Sequence, residues 1–410
     1  MTRGRLPNPV IHKNSIPAHQ YVRRSCCRRS ASNPVLLSPG WGVRASLVRT
    51  SEISTSGGAI LWGRADQGAP PSLCSARQVG SKARDLLALP EFAGKVLAVL
   101  SDTIYLFTRD GEVIWICSER FPLHRRCILV LLPPKVVSGE KCFWQFPHLI
   151  FSGGLFIDLS TAREWNPSRS EARGSVSLTE LWACFRRLLG VLDLLEVQEG
   201  MGRTISLSRA LAEGSAFPAF PPTSIMGRVQ DLALDLAYAC LDQDLRFVTR
   251  IGKEMIGLGP GLTPSGDDFL GGLFFAARSL HQAYPGDFFW DEDAVFDLLG
   301  WAKTRTHPIS HAVFSDLALG HGPEPLHDLV GGLLAGRGFN SILEAALRVA
   351  AIGHSSGWDM LAGAATGMLM VKKVKENTYQ KEALPRTARS DPGVGAPRTA
   401  RQNPPRPILS

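Results

Sequence analysis

Two short stretches hold residues of the types that bind and transform small polar molecules. The first reads Gly257-Leu258-Gly259-Pro260-Gly261-Leu262-Thr263-Pro264-Ser265-Gly266-Asp267-Asp268, continuing Phe269-Leu270-Gly271-Gly272. The second reads Gly353-His354-Ser355-Ser356-Gly357-Trp358-Asp359-Met360-Leu361-Ala362-Gly363. Glycine and proline at this density fix a rigid loop. Serine and aspartate immediately after it open a helix, whose first N–H groups are unpaired and carry partial positive charge. Such a terminus seats a phosphate or a carboxylate. Ser265 as a plain helix cap, with Asp267 and Asp268 merely favouring the dipole, explains the acids but not the rigid loop before them. The loop lacks the Gly-Lys-Ser/Thr of a Walker A sequence and is not a dinucleotide fingerprint.

The two stretches resemble each other. Residues 265–272 and 356–363 share five of eight residues, with Asp268 matching Asp359 and Gly272 matching Gly363. Small residues continue one turn on, at Ala276 and Gly367. Each unit is a Ser-Gly-x-Asp helix start followed by a small-residue stripe, which lets two helix backbones come close. The expectation is that the two helices pack together and aim both N-termini at one pocket. Helix N-termini favour an anion, and Asp268 and Asp359 oppose one. A ligand with an anionic end and an amide end satisfies both; alternatively the aspartates hold Mg²⁺, which holds phosphate. The sequence leaves both open and calls for no other cofactor. Thr263, Ser265, Gly266, Asp267, Ser310, Ser355, Ser356 and Gly357 are the expected substrate-binding residues. Asp268, Asp359 and His354 are the expected catalytic ones, as acids or bases.

Other signals are weaker. His307 and His311 are four apart, but Pro308 reads as the first helical residue, which spoils a metal pair. No metal site is expected. His124-Arg125-Arg126 reads either as an anion contact or as a solvated edge, and the edge is the favoured reading. No G-x-S-x-G elbow is present, so ordinary hydrolase chemistry is not indicated.

These residues need elements to hold them. Residues 75–170 carry short β-branched and aromatic runs, at 95–100, 104–108, 112–117, 127–132 and 155–159, and 84–89 reads as a short helix. Asp110-Gly111 reads as a type I′ hairpin turn. From about 176 the period becomes 3.6, predicting helices at 181–197, 226–248, 267–283, 294–303, 308–319, 325–336, 340–352 and 358–374. The fold class is α+β: a small antiparallel β-rich domain over 75–170, possessing the strand pattern of a barrel, then an all-α domain over 176–375.

The chain has 410 residues and a formal net charge of +8. That charge sits at the ends: +8 over residues 1–70 and +3 over 376–410, leaving −3 for the body. Nucleic acid is therefore not an expected partner. Residues 1–70 read as a disordered basic extension and 376–410 as a disordered tail; the Arg- and Ser-rich start also fits a transit peptide. No apolar run reaches the roughly 20 residues of a membrane span. Eight cysteines include no C-x-x-C pair, and Cys117, Cys127, Cys184 and Cys240 read as buried thiols. The expected compartment is the cytoplasm.

The loop at 259–270 and the Gly-His-Ser-Ser-Gly-Trp-Asp stretch at 353–359 resemble the AllH-type family of oxamate carbamoyltransferase subunits, a bacterial family long described as a domain of unknown function. The resemblance spans roughly residues 75–375 and is looser in the β-rich half. It implies a multi-subunit enzyme of purine (allantoin) nitrogen catabolism, exchanging carbamoyl phosphate and oxamate with carbamoyl-oxamate and phosphate. The implied partners are FdrA-like (AllF) and AllG-type subunits. It supplies no catalytic residues, so the roles above come from the chain itself. A non-catalytic assembly subunit and a stand-alone protein for a small amide-acid metabolite are the competing expectations.

Overall fold

The computed structural model describes residues 72–89, 91–167, 176–195, 200–215 and 225–375. The expected disordered ends, 1–70 and 376–410, lie outside the described residues.

The first half is a closed barrel. Strands β1 (Ser72–Gly80), β2 (Ala93–Val99), β3 (Thr103–Thr108), β4 (Val113–Ser118), β5 (Cys127–Val130), β6 (Lys141–Gln145), β7 (His148–Phe151) and β8 (Leu155–Asp158) run in the order β5-β4-β3-β2-β6-β7-β8-β1. The long strand β1 closes it. Ser72–Ser75 pair with β8, and Ala76, Gln78 and Val79 pair with β5, with a register shift between Ala76 and Gln78. A ninth strand, β9 (Arg163–Trp165), adds to the end of β1. The expected antiparallel sheet needs correction, because β1 runs parallel to β8 and β9, and β4 runs parallel to β5. Parallel neighbours need a crossover. The β4–β5 crossover, residues 119–126, detours through the contact with the helical half.

Alternation decides which side chains fill the barrel. Ile104, Leu106, Ile114, Ile116, Ile128 and Val130 point inward to a core capped by Ala83, Leu86 and Leu87 of α1 (Ser81–Leu87). Tyr105, Val113, Trp115, Cys117, Cys127 and Leu129 point outward and are also buried. A strand covered on both faces loses its polar alternation, which is why Val113–Cys117 reads as one apolar run. The 110–111 turn is a second correction. Only Gly111 takes a positive φ, +83°, and its N–H bonds to Thr108 O at 3.1 Å while Thr108 N–H bonds to Glu112 O at 2.8 Å. That is a type I turn with a glycine bulge, which requires one left-handed residue rather than two.

The second half holds α2 (Leu178–Leu192), α3 (Ile205–Glu213), α4 (Ile225–Asp242), α5 (Leu245–Met255), α6 (Ser265–Ala283), α7 (Glu292–Ala302), α8 (Pro308–Ala318), α9 (Glu324–Leu334), α10 (Phe339–Ala350) and α11 (Ser356–Met368). The expected helix over 226–248 is two. Gln243 turns left-handed at φ +56°, and Asp244 caps α5 by accepting Phe247 N–H at 2.9 Å. The expected helix over 181–197 stops at Leu192 and starts from a Ser177/Glu180 capping box. Helices α6 and α11 are apolar almost all round, the pattern of helices buried by other helices. No described helix is long and apolar enough to cross a membrane.

The halves meet along α8. Outward residues of β3, β4 and β5 pack on Ile309 and Ala312, with Leu262 of the glycine loop in the same cluster. Arg126, expected at a solvated edge, is instead 5 % exposed. Its Nε and Nη2 donate to Asp316 of α8 at 2.6 and 2.9 Å, and Nη1 donates to Glu112 at 2.6 Å. Burial raises the Asp316 carboxyl, and the guanidinium outweighs it, holding the group below the ordinary carboxylate value.

Candidate functional site

The α5–α6 connection is shaped by glycine. Gly257, Gly259 and Gly261 take φ of +80°, +123° and +91°, a conformation other residues adopt only at a cost. At Gly259 a Cβ would stand 2.6 Å from Ser265 N, so the loop folds back onto the start of α6. Gly266 permits another close approach. A Cβ there would collide with Met255 O, the last turn of α5. The second unit repeats the device, since a Cβ on Gly357 would collide with Val349 O of α10.

The two helices then lie backbone to backbone. A Cβ on Gly272 would strike Met360 O, and one on Gly363 would strike Phe269 O. Gly367 sits against Leu273 O, where an added Cβ would be 2.6 Å away. Matching positions face each other, so the helices run parallel and in register. Both N-termini open at one place, and Thr263 Oγ1 lies 3.0 Å from Ser356 Oγ.

The carboxylates are exchanged across the pair. The hydroxyls of Ser356 of α11 and of Thr263 act on the Asp268 carboxyl of α6 and favour its ionised form. Those of Ser265 of α6 and Ser355 act likewise on Asp359 of α11, and Met201 N–H donates to its Oδ1. Each aspartate is thus influenced by the serine that opens the other helix. Asp268 is 2 % exposed and Asp359 0 %. On both, Oδ2 is buried without a hydrogen-bond partner. Burial, then the nearby Asp359 and Asp267 charges, push the Asp268 carboxyl well above its usual value against the pull of its hydroxyl partners. Burial pushes Asp359 up to about 6. Both carboxyls are thus biased toward the protonated form relative to a free carboxylate.

Not every expected residue joins this pair. Asp267 accepts Gly257 N–H at 2.7 Å and Ser310 Oγ–H at 2.6 Å, and also Thr306 Oγ1–H. Its carboxylate and Ser310 tie the glycine loop to α8. The amides of Gly266 and Gly357, expected to hold an anion, are already spent on Leu258 O at 2.8 Å and Ile352 O at 2.9 Å. Thr263, Ser265, Ser355 and Ser356 are half-buried around the carboxylates, and His354 is exposed on the second turn. His307 caps α8 through Ile309 N–H at 3.2 Å, and His311 bonds to Leu299 O at 3.1 Å. Among the described residues no three His, Cys, Asp or Glu side chains converge as metal ligands.

Two contributors had no signal that was read. Gly200, at φ +71°, presses on Asp359 so closely that a Cβ would collide with Oδ1. With Met201 it forms a strap over the second carboxylate. The Gly200-Met201-Gly202 spacing was the available clue. Tyr105 of β3 is the other. Burial chiefly, then Cys117 and the Asp268 charge, raise its hydroxyl pKa.

Comparison with known proteins bears on this helix pair directly. Residues 255–368 match the family described as oxamate carbamoyltransferase subunit AllH. The AllH match runs from the end of α5 to the end of α11, and so contains both turns and both aspartates. The barrel lies outside the AllH match. Comparisons with curated proteins and with solved structures returned no match.

Proposed function

We propose that this chain is a subunit of a carbamoyltransferase of the oxamate type and that the twin turns hold the amide end of its small anionic substrate. The observation that carries this reading is the pair of buried, unpartnered Oδ2 atoms on Asp268 and Asp359. Buried acceptors without donors are costly, and a ligand –NH₂ supplies two donors. Carbamoyl phosphate and oxamate each have an amide end and an anionic end.

In the forward direction a bond forms between the oxamate amide nitrogen and the carbamoyl carbon. The bond from that carbon to the phosphate oxygen breaks, phosphate leaves, and the nitrogen gives up a proton. Ionised Asp359, with a pKa of about 6, is placed to receive that proton. Asp268 Oδ2 is placed to accept an N–H of the substrate amide beside it. The hydroxyls of Thr263, Ser265, Ser355 and Ser356 hold both carboxyls in orientation, and exposed His354 lies on the side open to solvent. Mg²⁺ bound here would have two carboxylate oxygens from the chain and would need the rest from substrate and water. The reaction acts on dissolved metabolites of purine (allantoin) nitrogen catabolism in the cytoplasm, and FdrA-like (AllF) and AllG-type chains are the proposed partners.

A second reading has its own observation. Both carboxylates are closed off by neighbouring groups, as in a structural knot that joins two helices in a non-catalytic assembly subunit. Co-expression with the partner subunits separates the two. Carbamoyl-oxamate phosphorolysis by the complex is expected to fall by at least about a hundredfold in Asp359→Asn with assembly intact. Unchanged phosphorolysis in an intact Asp268→Asn/Asp359→Asn complex would leave only the assembly role.

A further inference from the structure

We propose that Arg125, Arg278, His321 and the Nε2–H of His124 form a binding site for a small phosphate-class oxyanion at the seam between barrel and helices. Apart from Thr103 Oγ1 in β3, the buried groups without hydrogen-bond partners among the described residues sort by type. The acceptors are at the twin turns, on Asp268 and Asp359. At the seam they are donors: His124 Nε2, Arg125 Nε and Arg278 Nε, with the indole N–H of Trp290 beneath the Arg278 guanidinium.

The chain brings these donors together. Leu123 O accepts Glu324 N–H at 2.8 Å, and Arg126 grips Asp316, so the β4–β5 crossover is laid along the α8–α9 loop. Arg278 of α6 reaches the same loop from the other side, where a Cβ on Gly320 would lie 3.3 Å from its Cδ. His321 follows directly. It feels the charges of both Arg125 and Arg278, and these, after burial, lower its pKa to about 4.

The proton on His124 is placed by its neighbours. Nδ1 accepts Arg126 N–H at 3.3 Å, so the proton sits on Nε2. Burial keeps the ring neutral, with a pKa lowered to about 3. The ring lies against Trp115, centroids 4.8 Å apart, and cannot turn to find another acceptor.

The charges do not cancel. Asp316 is engaged by both prongs of Arg126. Arg278 has only Glu292 at 3.5 Å, a residue 56 % exposed. Among the described residues Arg125 has no ion-pair partner. Two guanidiniums and a fixed imidazole N–H around one loop are donors only, which suits phosphate oxygens. This site shares no residue with the twin turns, so phosphate binding here and carbamoyl transfer there can fail separately.

The test is a titration of the full chain with inorganic phosphate at constant ionic strength, against chloride, read by calorimetry and by the His321 imidazole resonances. Saturable binding with movement of the His321 resonances is expected. Arg125→Gln and Arg278→Gln are each expected to weaken binding about tenfold, the loss of one charge-assisted contact. Oxamate, a carboxylate without a phosphoryl group, is expected to compete poorly. Equal behaviour in phosphate and chloride overturns the site, as does undiminished binding in a folded Arg125→Gln/Arg278→Gln double variant. If the double variant does not fold, the wild-type His321 resonances decide the matter, and their indifference to phosphate overturns the site.

Discussion

The seam and the twin turns both bury carboxylates, and they treat them in opposite ways. At the seam Asp316 meets a bidentate guanidinium and is held ionised. At the twin turns Asp268 and Asp359 meet hydroxyls and one amide, keep an unpartnered oxygen each, and are pushed toward the protonated form. Buried charge that is paired fastens two parts of a fold. Buried carboxyl that is left unpaired is an expense to the free protein, recovered when a donor arrives. The contrast separates a joint from a site without reference to any known protein.

The largest expected effect comes from breaking the joint. Asp316→Ala removes the partner of two of the three guanidinium nitrogens of Arg126, leaving it Glu112 and Val113 O through Nη1, and is expected to cost about 3 kcal/mol. Urea denaturation of the full chain measures it. A loss under about 1 kcal/mol would mean that the pair does not bind the halves together. The next effect is steric. Gly363→Ala places a methyl against Phe269 O. Neither backbone yields without separating α6 from α11, and a loss near the upper end of the overpacking range, about 3 kcal/mol, is expected. Gly331→Ala, inside α9 where an added Cβ meets no neighbour, is the control and should raise stability slightly, by about 0.5–1 kcal/mol, through helix propensity alone.

How much of this was written in the sequence differs between the regions. The twin turns were legible because each carries its signal locally: Ser-Gly-x-Asp and then small residues at helical spacing. Those residues are what helix starts and close backbone contact require. The exchange of hydroxyls between Ser265 and Asp359 follows only once the helices lie in register, and no spacing along the chain states it. Asp267 and Asp268 are adjacent and alike in sequence, yet one faces the loop and the other the pair, because neighbouring helical residues point about 100° apart. The seam was hardly legible. His124-Arg125-Arg126 is polar, and polarity reads as exposure. Its burial depends on Asp316, 190 residues from Arg126. The barrel's closure was hidden for a similar reason. One strand, β1, serves two different neighbours along its length.

The unpaired carboxyls also set a pH dependence opposite to that of the joint. Asp316 is depressed, so its contribution is present above the ordinary carboxylate pKa of about 3.9 and is lost as pH falls through its lower folded value. Asp359 is raised to about 6. The folded state then holds a proton that the unfolded state has released, and stability falls as pH rises from about 4 through about 6. Over that shift the loss is about 2–3 kcal/mol. Asp359→Asn removes the titration and is expected to flatten this limb, making the variant relatively more stable at pH 8 than at pH 4. Denaturation midpoints across that range check the sign, and an unchanged slope would show that Asp359 does not titrate there.

The smallest effect tests the exchange itself. The Ser265 hydroxyl acts on the carboxyl of Asp359, on the other helix, and favours its ionised form. Ser265→Ala is expected to cost only about 1 kcal/mol, the worth of one ordinary hydrogen bond. Its informative consequence is on titration. Losing the donor raises the Asp359 pKa further above 6 and extends the falling limb of stability to higher pH. Asp268, on the same helix as Ser265, is acted on by the hydroxyls of Ser356 and Thr263 and should respond only weakly. Carboxyl carbon resonances assigned to the two aspartates distinguish these outcomes. A larger shift at Asp268 than at Asp359 would mean that each serine serves its own helix, and the reciprocal arrangement that distinguishes this site from the seam would be lost.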